Sequence, residues 1–158
     1  MRTVRGDLSM CSDSLRCAQF GWDLIEGLAY LHSHGVAHLD IKPGNLVCTD
    51  DFRLQIIDFN SAVQVRHEDD MVKGVYGTRG WMAPEIRPRN MYSPIRADRW
   101  SCGQVAFWFL EASGTEDEDL ERFAEQLMNE NPLHRPSLVD WSERVDVMLC
   151  DEDDTDEG

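Results

Sequence analysis

The strongest constraint on the fold is a helical pattern that runs straight into a loop crowded with polar side chains. Apolar residues recur at helical spacing from Ser14 to Ser33, and Gly35 supplies a stop signal just beyond. The chain then enters the stretch HLDIKPGN, His38 to Asn45, in which Pro43 and Gly44 exclude a helix. An acid, a base and an amide therefore share one loop directly after a helix.

The remaining pattern predicts a fold that is mainly α with a small β-hairpin. The β-rich runs LVCT and RLQIID, separated by DDF, are typical of a hairpin. No periodicity is visible from Phe59 to about Trp81, which predicts a long loop. Asp98 to Ala112 is apolar nearly all round and predicts a buried central helix. Two further helices are predicted, over Glu118 to Asn129 and Leu138 to Leu149.

Composition limits the class of protein and its partners. A chain of 158 residues, 42% of them hydrophobic, suits one compact domain. We predict this domain over residues 1–150, followed by a disordered acidic tail over residues 151–158, and we interpret the acidic run 116–121 as a solvated loop. A formal charge of −15 argues against nucleic acid and anionic membranes and favours a basic protein partner.

The cysteines and the N-terminal residues bear on the compartment. Five scattered cysteines without a C-x-x-C pair favour free thiols over a disulfide framework or a zinc site. The first ten residues lack the apolar core of a signal peptide, and the longest wholly apolar run is far shorter than a membrane span. We therefore expect an intracellular protein, cytoplasmic or nuclear.

The polar loop and the hairpin together predict a site for phosphoryl transfer. A hairpin that starts at Asn45 returns the chain to Asp58, so an amide and a carboxylate oxygen converge where Mg²⁺ prefers oxygen ligands. Asp40 lies beside that pair and is able to accept a proton from an incoming hydroxyl. Lys42 adds a compact positive charge that would face phosphate oxygens.

Five segments extend this reading to a family. HLDIKPGN, DFN (Asp58 to Asn60), GTRGWMAPE, DRWSCG and HRPS occur in the order and with the approximate spacing of the eukaryotic protein kinases, which the chain resembles. The lysine two positions after Asp40 is typical of the serine/threonine type. The resemblance implies a protein-kinase-like C-terminal lobe, with Asp58 to Glu85 as its activation segment.

The resemblance also implies roles for individual residues. Asp40 matches the catalytic base, Lys42 the lysine on the γ-phosphate, and Asn45 and Asp58 the two Mg²⁺ ligands in an ATP site. Thr78 matches the threonine that bonds near the catalytic acid and lysine. The remaining matches are structural supports: His38, which we expect to be buried and bonded to the loop backbone, and Phe59, Glu85, Asp98 and Arg135.

Two substitutions depart from the family pattern inside the site. Leu39 replaces the arginine that normally pairs with a phosphorylated activation segment, so we expect no phosphate-dependent ordering by that route. Asn60 replaces the glycine of the magnesium motif. Asparagine tolerates positive φ, so we expect metal binding to be retained and the turn to be less flexible.

Other departures concern what surrounds the site. No G-x-G-x-x-G occurs, and no lysine precedes Asp40, because the two lysines are Lys42 and Lys73. Only 37 residues precede His38, which predicts a truncated kinase domain that lacks the N-terminal β lobe. The short stretch from Trp100 to Arg135 carries GTEDEDLE where many kinases have a substrate-docking helix.

Three functions stay open from the residues. The first is a serine/threonine protein kinase domain that uses ATP and Mg²⁺ to phosphorylate a protein hydroxyl. The second is a non-catalytic, pseudokinase-like module that binds a partner through the face left by the missing lobe. The third is a small-molecule kinase of the aminoglycoside or choline type, against which the lysine and proline after Asp40 and the APE and DRW segments argue.

Overall fold

Three helices of ten or more residues build the part of the chain that the computed structural model describes, which comprises residues 2–3 and 14–140. They are α1, Ser14–Ser33, α2, Pro94–Ser113, and α3, Glu118–Leu127. Short strands lie between them: β1, Arg2–Thr3, β2, Val36–Ala37, β3, Leu46–Cys48, β4, Leu54–Ile56, β5, Val63–Gln64, β6, Val72–Lys73, and β7, Met91–Tyr92. Two short 3₁₀ turns cover Pro43–Asn45 and Pro132–His134.

The strands form three small antiparallel sheets, and the largest confirms the predicted hairpin. β3 pairs with β4 in a register that sets Leu46 opposite Ile56, and β1 pairs with the other edge of β3. Within the described ranges no sheet exceeds three strands. The predicted class, a mainly α lobe with a hairpin and without a β lobe, is confirmed for these residues.

The stretch predicted as one long loop contains two strands. β5 pairs with β2, and β6 pairs with β7. Each strand is only two residues long and finds its partner more than 15 residues away in the sequence. A search for local periodicity does not detect pairing of that kind, because the signal lies in two distant segments.

The core lies where α1, α2 and α3 meet. Each helix contributes apolar side chains at helical spacing, and the central group is Leu24, Leu28, Val105, Phe109, Phe123 and Leu127. The predicted apolar face of α1 is wrong at its end, because Tyr30 is 65% exposed. Tyr30 stacks near His34 instead, with ring centroids 4.3 Å apart.

The central helix begins a full turn earlier than its predicted start at Asp98. Ser93 caps α2 by accepting a hydrogen bond from the backbone N–H of Arg96 at 3.2 Å, and Pro94 occupies the first helical position. The start signal is therefore Ser-Pro rather than the aspartate. Asp98 then lies inside the helix, where its side chain is free to leave the helix surface and meet the loop after α1.

Part of the acidic run interpreted as a solvated loop is the first turn of α3. Asp117 caps this helix by accepting from the Leu120 backbone N–H at 2.9 Å, and three acids lie in the first turn, where the helix dipole favours them. α3 ends at Leu127, two residues before the predicted end.

The remaining expectations about the ends of the chain are only partly covered. Residues 138–140 are helical, and the rest of the helix predicted to Leu149, together with the tail over residues 151–158, lies outside the described residues. The described cysteines, Cys17, Cys48 and Cys102, are buried. None of the helices in the described part of the chain has the length and hydropathy that crossing a bilayer requires.

Candidate active site

A single buried carboxylate holds the loop after α1. Asp98 is 1% exposed, and its two oxygens accept from the backbone N–H groups of His38 at 2.7 Å and Leu39 at 2.8 Å. His32 donates to the same carboxylate from Nε2 at 3.1 Å. Leu39 adopts a left-handed conformation, with φ of 62°, which is costly for a residue with a branched side chain. The two charge-assisted bonds to Asp98 stabilise that conformation.

The side chain of Leu39 is buried in a second apolar cluster with Ala37, Ala83, Ile86 and Ile95. A leucine at this position therefore packs the loop against the start of α2 and the end of the activation segment. The leucine side chain itself carries no charge that could pair with a phosphate.

His38 links the loop to the hairpin. Its ring is fully buried, Nε2 donates to the carbonyl oxygen of Ile57 at 2.9 Å, and Nδ1 accepts from the backbone N–H of Asp40 at 3.2 Å. Because Nδ1 accepts and Nε2 donates, this geometry corresponds to the neutral tautomer with its proton on Nε2. His38 therefore links the backbone of the Asp40 loop to the backbone of the hairpin, and neither ring nitrogen is directed at a substrate.

The structure brings Asp40, Lys42, Asn45 and Thr78 together in one hydrogen-bonded cluster. Thr78 donates from Oγ1 to Asp40 at 2.6 Å and accepts from Lys42 Nζ at 2.6 Å. Lys42 Nζ lies 3.3 Å from the other oxygen of Asp40. The amide nitrogen of Asn45 donates to the carboxylate of Asp40 at 3.0 Å and to its carbonyl at 2.8 Å. The Asp40 carboxylate is thus fixed by three different side chains.

The hairpin returns the chain from Asn45 to Asp58, as its length predicts. The backbone N–H of Ile57 donates to the carbonyl of Asn45 at 2.9 Å, so Asp58 follows the residue that pairs with Asn45. Asp58 is exposed, and its carboxylate accepts one long hydrogen bond, 3.4 Å, from the backbone N–H of Asn60. Asp58 therefore lies next to the cluster without being bonded into it.

At this turn the residue with positive φ is Asp58, and not Asn60 as the sequence analysis expected. Asp58 itself has φ of 61°, and Asn60 is not among the described residues with positive φ. Aspartate tolerates positive φ better than most residues. Because Asn60 itself does not have positive φ, the replacement of the family's glycine by Asn60 imposes no backbone strain at this turn. Phe59 is 46% exposed, and its ring meets that of His38 edge-on, with centroids 4.9 Å apart.

Comparison with known proteins identifies the family to which this sequence is similar. The family model of the protein kinase domain matches residues 7–114. Serine/threonine-protein kinase ppk8 of Schizosaccharomyces pombe is 36% identical over 99 residues, which are 60% of this chain and 19% of ppk8. Serine/threonine-protein kinase chk1 of the same yeast is 32% identical over 128 residues, 79% of this chain and 25% of chk1. The probable serine/threonine-protein kinase RTK1 of Saccharomyces cerevisiae is 43% identical over 102 residues, 62% of this chain and 16% of RTK1.

This chain belongs to the serine/threonine protein kinase family. The match covers part of a kinase domain, and the chain spans between 16% and 25% of the length of these three relatives. The predicted family is confirmed.

In this kinase chain the end of the activation segment is tied to the residues after α3. Arg135 is buried and forms a bidentate pair with Glu85, at 2.6 and 2.9 Å. The guanidinium also donates to the carbonyl oxygens of Asn129 and Arg96, each at 2.8 Å. These contacts suit the structural support that the resemblance implied for Glu85 and for Arg135.

Four charged residues that the sequence analysis did not single out join the kinase's activation segment to α2. Arg96 donates to Asp69 at 2.5 Å and to Glu68 at 3.4 Å, and Arg99 donates to the other oxygen of Glu68. A signal was available in the sequence: an arginine in a helix that is otherwise apolar nearly all round requires a partner. Glu68 and Asp69, to which the sequence analysis assigned no role, supply that partner.

Burial changes the ionisation of several groups around the kinase site. It raises the pKa of the Cys102 thiol, which lies inside α2 and is therefore unreactive at neutral pH. Burial also raises the pKa of Tyr92 to about 12, and its hydroxyl donates to the carbonyl of Gly74 at 2.9 Å. Burial lowers the pKa of the Arg99 guanidinium, and the neighbouring Glu68 opposes that shift.

Proposed function

We propose that this chain carries out the phosphoryl transfer of a serine/threonine protein kinase, from ATP to a hydroxyl of a protein substrate, with Mg²⁺ as cofactor. The observation that carries the proposal is the Asp40 carboxylate, held by Thr78, Lys42 and Asn45 at the edge of an exposed turn that bears Asp58. Family membership and the named relatives support the reaction class.

Asp40 is the group that would receive the substrate proton. A serine or threonine hydroxyl bound to its carboxylate would be oriented with its oxygen toward the γ-phosphorus, and the proton would pass to Asp40 as the new oxygen–phosphorus bond forms. The bond between the γ-phosphorus and the β–γ bridging oxygen would break in the same step, and ADP would leave with that oxygen and its electron pair. Lys42 would place its ammonium beside the phosphoryl oxygens as their charge redistributes. Thr78 spans Asp40 and Lys42, so it sets the separation of the acceptor and the cation.

The residues present fit a magnesium ion. Asn45 uses its amide nitrogen for both bonds to Asp40, and its Oδ1 accepts no hydrogen bond from the described residues. Asp58 offers an exposed carboxylate next along the hairpin. No group of three or more His, Cys, Asp or Glu in the described part of the chain could hold a metal, so this pair would share the ion with phosphate and water oxygens, as Mg²⁺ commonly does. When bound, Mg²⁺ would supply positive charge that offsets the negative charge of the ATP phosphates.

A second function is supported by the exposed turn. Phe59 is 46% exposed although it is a large apolar residue beside the catalytic cluster. A chain that binds a partner through this surface, without catalysis, would act as a pseudokinase-like module. The charge of −15 favours a basic protein as partner in either case.

Two variants separate these functions. Asp40→Asn keeps the shape of the cluster and removes the proton acceptor, so phosphoryl transfer from radiolabelled ATP to a basic protein such as histone should fall at least about 10²-fold. Its affinity for Mg²⁺–ATP should stay within about threefold of the wild type. Asp58→Ala should abolish the Mg²⁺-dependent part of ATP binding, and Asp119→Asn, an exposed carboxylate on α3, is the control.

The outcomes discriminate clearly. Activity of Asp40→Asn equal to that of the wild type would refute the assigned base. Mg²⁺-dependent ATP binding by the wild type with no turnover would support the pseudokinase-like module. Absence of ATP binding by the wild type at millimolar concentration would exclude a nucleotide site, both for the active kinase and for the pseudokinase-like module.

A further inference from the structure

We propose that Glu68 and Asp69 form, with Arg96 and Arg99 of α2, an acidic clamp that orders the activation segment without phosphorylation. Here the clamp denotes these four residues. The inference deepens the proposed function, on which it rests for what the ordered segment does, namely present Thr78 to Asp40 and Lys42.

The clamp joins the activation segment to helix α2. Arg96 and Arg99 project from the first turns of α2, and their side chains are 11% and 6% exposed. Glu68 spans both, with one oxygen facing each guanidinium, and Asp69 adds a second carboxylate to Arg96 at 2.5 Å. The backbone carbonyl of Glu68 also accepts from the hydroxyl of Ser93 at 2.6 Å. Side chain and backbone of Glu68 are therefore both held by α2 and its cap.

The burial of the arginines makes the carboxylates necessary. A guanidinium that is about nine-tenths out of water loses its hydration and must find acceptors in the protein. Arg99 has a carbonyl acceptor at Arg135, 3.2 Å away, and Glu68 supplies its carboxylate. Removing the charge at position 68 would leave both arginines short of a partner, and the segment would lose its tie to α2.

The position of the clamp fits the role that a phosphate has elsewhere in the family. Leu39 is buried and apolar, so the loop of Asp40 offers no arginine to a phosphorylated residue. The hydroxyl-bearing residues of the activation segment are Ser61, Tyr76 and Thr78, and Thr78 is already engaged by Asp40 and Lys42. Carboxylates that are part of the chain thus supply the negative charge that modification would otherwise add.

A chain of contacts between arginines connects the clamp to the other end of the activation segment. Arg99 donates to the carbonyl of Arg135, and Arg135 in turn holds Glu85. Glu68 and Glu85 are therefore tied to one connected set of arginines, and residues 69–84, including Thr78, lie between two fixed points.

Amide hydrogen exchange on the full chain without nucleotide tests the clamp directly. In Glu68→Gln/Asp69→Asn, peptides from residues 58–85 should exchange at least about tenfold faster than in the wild type, while α1 and the second half of α2 change by less than about threefold. The single variant Glu68→Asp keeps the negative charge, so residues 58–85 should retain most of the protection that they have in the wild type. Asp119→Asn removes an exposed carboxylate paired within its own helix and should change nothing in the segment.

Three results would overturn the proposal. The first is unchanged exchange over residues 58–85 in the double variant. The second is an equal increase across the whole chain, which would show a general loss of stability. The third is protection of the wild-type segment that disappears after phosphatase treatment. Because no nucleotide is present, each result stands whether or not the chain binds ATP, and a failure of the ATP tests would leave the clamp intact.

Discussion

The two halves of the candidate site are built in different ways. On the side of Asp40, the carboxylate is fixed by three side chains and its loop is anchored by Asp98, a carboxylate that is 1% exposed. On the side of Asp58, the carboxylate accepts one bond of 3.4 Å and Phe59 is 46% exposed. The first half is therefore complete within this chain, whereas the second presents its groups to whatever binds there.

The difference follows from α2. Its first turns reach the loop of Asp40 through Asp98 and the activation segment through Arg96 and Arg99. Ser101 of the same helix donates to the Trp81 carbonyl at 2.6 Å. No such contact extends to Asp58 among the described residues. The side of Asp40 is therefore held more firmly than the side of Asp58, because the polar groups of α2 contact the first and not the second.

The largest expected effect is that of Asp98→Ala. The change removes the acceptor of two backbone N–H groups and of His32, all in a buried setting, so we expect a loss of about 3–5 kcal/mol in the free energy of unfolding. Chemical denaturation of the variant measures it. Asp119→Ala removes an exposed carboxylate from α3 and should cost less than about 0.5 kcal/mol. A loss below about 1 kcal/mol for Asp98→Ala would contradict the anchoring role.

An intermediate effect is expected for Gly77→Ala. Gly77 has φ of 110°, and a Cβ there would lie 2.8 Å from the carbonyl oxygen of Leu39. The variant must strain the backbone or separate the activation segment from the loop, so we expect a loss of about 1–3 kcal/mol. Gly80→Ala is the matched control, since its φ of 93° is equally unfavourable but a Cβ there meets no atom within 4 Å. Equal losses in both variants would show that backbone strain alone, and not the close approach to Leu39, is responsible.

The smallest expected effect belongs to the open side. Asp58→Asn keeps a residue that tolerates positive φ and removes a charge whose described contact is weak, so the free energy of unfolding should change by less than about 0.5 kcal/mol. Thermal and chemical denaturation measure it. A loss above about 1.5 kcal/mol would mean that Asp58 is part of the rigid half, and the comparison would fail.

Sequence reasoning reached the parts that depend on local pattern or on a family motif. The bounds of α1, Ser14–Ser33, follow from helical periodicity and a stop at Gly35, and the hairpin follows from two β-rich runs around a turn. The meeting of Asp40, Lys42 and Thr78 is implied by the resemblance to protein kinases, and the observed cluster has those contacts. The catalytic and metal-binding roles of these residues stay predictions.

The parts that sequence reasoning missed depend on distant contacts or on weak start signals. β5 and β6 are defined by partners far along the chain, and the pairing of Glu68 with Arg99 spans 31 residues. The start of α2 was placed at Asp98 because the apolar pattern begins there, although Ser93 and Pro94 form the actual cap. His32 lies at the end of a helix in the sequence pattern, and its side chain meets Asp98, 66 residues away.

The central claim is that Asn45 and Asp58 share a divalent ion beside a pre-formed Asp40 cluster. Manganese is a paramagnetic substitute for magnesium, so it broadens the NMR signals of nearby amides. Addition of Mn²⁺–ATP to the isotope-labelled wild-type chain should broaden the amide signals of residues 45–46 and 58–59 first, and Asp58→Asn should abolish the effect at the same concentration. Broadening that is absent, that lies elsewhere in the chain, or that is unchanged in Asp58→Asn would contradict the account.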